Sequence, residues 1–167
     1  MKWENVGDLP CSVARSLSVV GERWTLLIVR NAFLGLRRFD DFQSNLGLTR
    51  HVLAERLGRL VEEGVLRKEA YQDNPPRHEY RLTEKGRELY PVLLALTAWG
   101  DKWKDGGRGA PLVFQHKPCG KTFTPVMTCS ECGEPVTAFD VMPMAGPGLQ
   151  PALAVDDESA GTQKKGR

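Results

Sequence analysis

A mainly helical α+β fold is predicted by three features of this chain of 167 residues. Between Arg37 and Leu82, two runs with apolar residues at helical spacing flank Gly47, and two strand-like runs around a Pro-Pro tip follow. Next, Leu89, Val92, Leu96, Trp99 and Trp103 recur at 3, 4, 3, 4 spacing, the seam of a short coiled coil. Helix, turn, helix, hairpin and long helix, in that order, is the layout of a winged helix-turn-helix with a long C-terminal dimerisation helix. A small β-rich appendage follows a Gly-rich linker.

Each element has a local reason. Residues 1–10 form an arm ending at Pro10. Ser12 can cap a first helix that turns Val13, Leu17 and Val20 inward and stops at Gly21. Trp24 to Leu34 is apolar on most faces, which marks a buried central helix closed by Gly35. Phe39, Phe42 and Leu46 line a short helix, Gly47 makes the turn, and Thr49 caps the next helix. That helix buries Leu53, Leu57 and Leu60 and shows Arg50, His51, Ala54, Glu55 and Gly58 on its other face. Polar donors in the first turn with small residues behind them suit entry into a major groove about 12 Å wide.

Gly64 ends that helix. Val65–Tyr71 and His78–Leu82 read as strands joined by QDNPPR, where Arg77 beside the rigid tip suits a phosphate or a minor groove. Lys68, Arg67 and Arg81 add positive charge to the hairpin. Thr83 caps the long helix, Glu84 suits its positive end, and Pro91 lies inside the run, where it removes a backbone hydrogen bond. The seam packs either on its own domain or on a second copy; two tryptophans near the end of a terminal helix favour the second copy.

Composition sets outer bounds. Hydrophobic residues make up 41% and charged residues 26%, as in an ordinary globular protein, and net charge is only +2. Residues 1–104 hold 17 Lys and Arg against 14 Asp and Glu, and residues 105–167 hold 6 against 7. The weakly basic front half fits a nucleic-acid partner without demanding one. No apolar run approaches the roughly 20 residues that span a bilayer, and MKWENVGDLP has no apolar signal core, so the expectation is a cytoplasmic protein with no membrane partner. No P-loop, dinucleotide fingerprint, nucleophile elbow or H-E-x-x-H is present. The deaminase pattern fails too, because Lys117 and Pro118 follow His116 and Thr128 precedes Cys129. A non-enzyme is expected.

The pieces CSVARSLSVVGERWTLLIVRNAFLGLRRFDDF, LTRHVLAERLGRLVEEGVL, NPPRHEYRLTEKGREL and LTAWGDKW, in this order and spacing, resemble the HxlR family of bacterial winged-helix regulators, relatives of the MarR type. The resemblance covers residues 1–104. It implies a transcriptional regulator that binds double-stranded DNA as a homodimer, with N- and C-terminal helices at the interface and a palindromic operator. The recognition helix would be Thr49 to Glu63. Base contacts would come from Thr49, Arg50 and His51, with Arg56 and Arg59 nearer phosphate, or else on a solvated flank. Arg77 would make the wing contact. Cys11 stands where some members carry a redox-sensing cysteine; the alternative is a small residue buried in the dimer interface.

Four cysteines are too few and too unevenly placed for a disulfide framework. His116-x2-Cys119 and Cys129-x2-Cys132, each followed by glycine, have the ligand pairing of a zinc knuckle or ribbon, so structural zinc is the expected cofactor. A Cys129–Cys132 redox pair, a disulfide to Cys119, or a retained β-fold without ligands are the alternatives. Three short strand-like runs, Leu112–Gln115, Lys121–Met127 and Pro135–Val141, give the appendage its β character. The expected division is 1–104 winged-helix and dimerisation domain, 105–142 β-rich segment, and 143–167 flexible tail. A rival reading makes the chain a protein-interaction module that docks through its winged helix and Cys-rich tail. Operator, regulated genes, sign of regulation and effector ligand stay open.

Overall fold

The computed structural model describes residues 3–149. A 3-10 helix, Trp3–Asp8, leads into α1 (Ser12–Val20), α2 (Thr25–Phe33), α3 (Phe39–Leu46) and α4 (Arg50–Glu62). The antiparallel hairpin of β1 (Leu66–Gln72) and β2 (Arg77–Leu82) follows, then α5 (Glu84–Arg87) and α6 (Tyr90–Lys104). Two short strands, β3 (Phe114–His116) and β4 (Lys121–Phe123), pair beyond the linker.

One apolar cluster holds the front of the molecule. Ile28 and Val29 of α2, Phe42 of α3, Leu53, Leu57 and Leu60 of α4, and Val65 and Leu66 at the foot of the hairpin are all buried. The α4 stripe follows from its spacing, since residues at i, i+4 and i+7 share one side of a helix. A polar clamp fixes α3 against α2: buried Asn31 donates to Asn45 Oδ1 at 2.7 Å and accepts from Arg30 at 2.8 Å. At the base of the hairpin, Thr83 caps α5 by accepting from the Gly86 N–H at 3.1 Å and donates to the Gly64 carbonyl at 2.6 Å. Gly86 is packed so closely that a Cβ there would stand 2.2 Å from the Val65 carbonyl oxygen.

Several expectations are corrected. Ser12 is the first residue of α1, and Cys11 takes the cap position without a side-chain capping bond. Val13 and Leu17, expected inward, are exposed at 66% and 38%, because within one chain α1 buries only Ala14 and Val20. The final helix is split at Glu88–Leu89, which puts Pro91 in the first turn of α6, where its missing N–H costs no helical bond. The seam divides accordingly: Leu89 and Leu93 pack on the core, while Val92, Leu96, Trp99 and Trp103 stand exposed. In the appendage, Pro135–Val141 forms no strand; Pro135 makes a single bridge to Thr128. The tail expected from residue 143 falls, from residue 150 onward, outside the described residues.

Candidate nucleic-acid interface

The helix-turn-helix is built from α3, a turn and α4. Gly47 closes α3 with φ +63 and donates its N–H to the Gln43 carbonyl at 2.9 Å. Leu48 then dips into the core and Thr49 starts α4, its hydroxyl accepting from the Val52 N–H at 3.4 Å. These anchors leave Thr49, Arg50 and His51 exposed in the first turn, beside the positive end of the helix.

Arg50 is presented outward and lightly held. Its guanidinium lies 4.7 Å from the Phe39 ring centroid and 3.4 Å from Asp40, a pair so exposed that it contributes little. Phe39 and Asp40 are the first residues of α3. Arg38, just before them, bridges to Glu79 of β2 and lies 5.1 Å from the Tyr71 ring on β1. The Tyr80 N–H also donates to the Arg37 carbonyl at 2.8 Å. The start of α3 is thus sandwiched between the first turn of α4 and the hairpin. The exposed first turn of α4 and the hairpin are parts of one continuous surface, and Arg77 is exposed on that hairpin without a carboxylate partner among the described residues.

The other basic residues are differently placed. Arg56 is mostly enclosed and lies 3.3 Å from both Glu22 and Glu55; its Nε is buried and has no partner. Arg59 lies 2.7 Å from Glu63. Contact with phosphate by either would require giving up these carboxylates. On the hairpin, Arg67 faces Arg81 and Glu69 faces Glu79 in register, like opposite like. Arg81 resolves the conflict diagonally, reaching Glu69 at 3.1 Å, while Arg67 binds the same carboxylate at 2.5 Å. Arg67 and Arg81, expected to make the hairpin positive, are therefore neutralised; Lys68 and Arg77 supply its free charge. Half-buried Tyr80 beside them has a raised pKa from desolvation. Sequence reasoning passed over Arg38, whose signal was the Arg-Arg pair at the start of α3.

Cys11 is an exposed free thiol at the start of α1, and Arg15 donates to Ser12 Oγ at 2.9 Å. In the appendage, His116 Nδ1 lies 3.4 Å from Cys119 Sγ. The Cys132 and Glu131 N–H groups, followed by the Cys132 thiol, hydrogen-bond to Cys129 and hold its pKa below the usual thiol value. The two pairs stay separate: no three His, Cys, Asp or Glu side chains gather in a metal-holding group among the described residues.

Comparison with known proteins agrees with the winged-helix architecture. The model of the HxlR-like helix-turn-helix family matches residues 19–107. An uncharacterized HTH-type transcriptional regulator of Mycobacterium tuberculosis is 47% identical over 143 residues, 86% of this chain and 90% of its own length. The YdeP HTH-type regulator of Bacillus subtilis is 36% identical over 96 residues, which is 57% of this chain and 75% of its own. Among solved structures, PA1607, described as a candidate transcription factor, superposes with a TM-score of 0.72 at 37% identity, covering 81% of this chain and 95% of its own. The redox regulator HypR in its oxidized form gives 0.53 at 33% identity, covering 57% and 99%. No helix among the described residues is long and apolar enough to cross a membrane. With its family model, its relatives and its winged-helix architecture in agreement, the chain belongs to the HxlR-like helix-turn-helix family of transcriptional regulators.

Proposed function

We propose that the protein is a homodimer that binds a palindromic operator, reading bases through Thr49, Arg50 and His51 and gripping the backbone through Arg77. The observation that carries the reading is the continuous exposed surface described above, with Arg50 on one side of the start of α3 and the hairpin on the other. A guanidinium in that position can bond a guanine edge in bidentate fashion, the commonest specific contact in a major groove. The N-terminal turn of a helix adds backbone N–H groups for phosphate. The protein acts by binding and not by catalysis.

The dimer is supported by an apolar surface that one chain leaves open. Val92, Leu96, Trp99 and Trp103 form a stripe along α6, and Val13 and Leu17 another on α1. Two exposed tryptophans at 57% and 63% on one helix are costly in water unless a partner covers them. A second copy covering both helices would set two α4 helices at a fixed separation, as a two-fold operator requires.

Sedimentation and a screen of intergenic DNA test this together. The expected result is a dimer that Trp99→Asp converts to monomer, and selective protection of an inverted repeat. A wild-type monomer, or binding that is equal on every fragment and differs only with salt, would overturn the reading.

A further inference from the structure

Residues 105–149 bury no side chain, and their regular structure is two three-residue strands. A segment without a core keeps a defined shape only with a staple such as a disulfide or a metal. Its three cysteines are free. Yet it contains two turns of the same design. The first runs from His116 to Cys119 and closes when the Gly120 N–H donates to the His116 carbonyl at 2.8 Å. The second runs from Cys129 to Cys132 and closes when the Gly133 N–H donates to the Cys129 carbonyl at 2.9 Å. Both glycines take left-handed φ, +68 and +76, which other residues adopt only with strain.

Each turn tips an antiparallel pair: β3 and β4 for the first, and the Thr128–Pro135 bridge for the second. Within the first turn the two donors are already arranged as a bidentate pair. A tetrahedral zinc with Zn–N of about 2.05 Å and Zn–S of about 2.3 Å holds those two donors about 3.6 Å apart. His116 Nδ1 and Cys119 Sγ are 3.4 Å apart, and Cys129 and Cys132 hold the same first and last places of the second turn. Nothing in the packing demands this duplication, since neither turn supports a buried residue.

We propose that the two turns are halves of one structural zinc site, with His116 Nδ1 and the sulfurs of Cys119, Cys129 and Cys132 as its four ligands, and that they close on the metal as it binds. In the structure the halves stand apart. The chain can bring them together: the nine residues between Cys119 and Cys129 allow about four residues out and four back, at about 3.3 Å each. Thr124–Val126, at the reversal, donate no backbone hydrogen bonds to oppose the movement. On closure three thiols release their protons to solvent as three Zn–S bonds form, and His116 binds as neutral imidazole. The bound site carries net charge −1. Closure also fixes the appendage beside α6, because His116 and Cys119 border a groove with Pro91, Leu94 and Ala95 of that helix.

The test uses the full-length reduced chain, stripped with a chelator and titrated with Co(II), then with Zn(II). The expected result is one Co(II) per chain with tetrahedral thiolate absorption, displaced by zinc. Cys119→Ser and Cys129→Ser should each weaken binding by more than the roughly 10- to 100-fold that loss of an outer partner costs. Unchanged thermal melting of the front domain shows that the variants remain folded. Zinc should also slow alkylation of Cys119, Cys129 and Cys132 together. Absence of stoichiometric binding overturns the proposal. So does binding that survives both Cys119→Ser and His116→Ala while Cys129→Ser abolishes it, since one pair would then suffice.

Discussion

Residues 3–104 and residues 105–149 are held together in different ways. The front region closes on Phe42, Ile28, Leu53 and Leu57, each fully buried, and its polar anchors are paired. The rear region leaves Phe139 99% exposed and buries no residue. The relatives match different shares of the chain. HypR and YdeP match 57% of the chain, whereas the mycobacterial regulator matches 143 residues, at least 39 of them beyond residue 104. The two regions therefore answer to different constraints. In front, packing fixes where α3, α4 and the hairpin sit; behind, only short-range turn geometry is specified.

The contrast is tested most strongly by truncation. Phe42→Ala should cost about 3–5 kcal/mol of unfolding free energy, through lost burial and the cavity left behind. Phe139→Ala should leave thermal melting unchanged. Equal effects from the two would mean that the rear segment has a core after all. Smaller is Gly86→Ala, expected to destabilise by about 1–3 kcal/mol, because its methyl group meets the Val65 carbonyl and the hairpin foot must move. Asn31→Ala should cost a similar amount, about 1–3 kcal/mol, since a buried polar clamp between α2 and α3 is broken. Chemical denaturation measures both. The smallest effect is a gain: Cys11→Ser supplies the hydroxyl that the α1 cap lacks and should add up to about 1 kcal/mol.

What could be read in the sequence was whatever depends on near neighbours. The Leu53, Leu57 and Leu60 stripe, the Thr49 and Thr83 caps and the turn at Gly47 all follow from spacing within one or two helical turns. Periodicity also found the apolar faces of α1 and α6, but it says nothing about what covers them, so Val13 and Leu17 were expected inside. Arg50, His51 and Arg77, picked out by their places in the first turn and the wing, do lie exposed. Neutralised arginines were not legible. Arg56 meets Glu22 from another helix, and Arg81 meets Glu69 only through the strand register. Arg38 became visible once the hairpin was seen to fold back on the start of α3.

Under the proposed function Arg50 and Arg77 have different tasks, and one measurement separates them: affinity for the operator and for a scrambled duplex, across a range of salt, for wild type, Arg50→Ala and Arg77→Ala. Arg50→Ala should lose about 1–3 kcal/mol of preference for the operator. Arg77→Ala should keep the preference, weaken binding to both duplexes, and reduce the slope of log affinity against log salt by about 1. If both variants lower the two affinities alike, or if neither changes them, the assignment of the first turn of α4 to bases and of the wing to backbone is wrong.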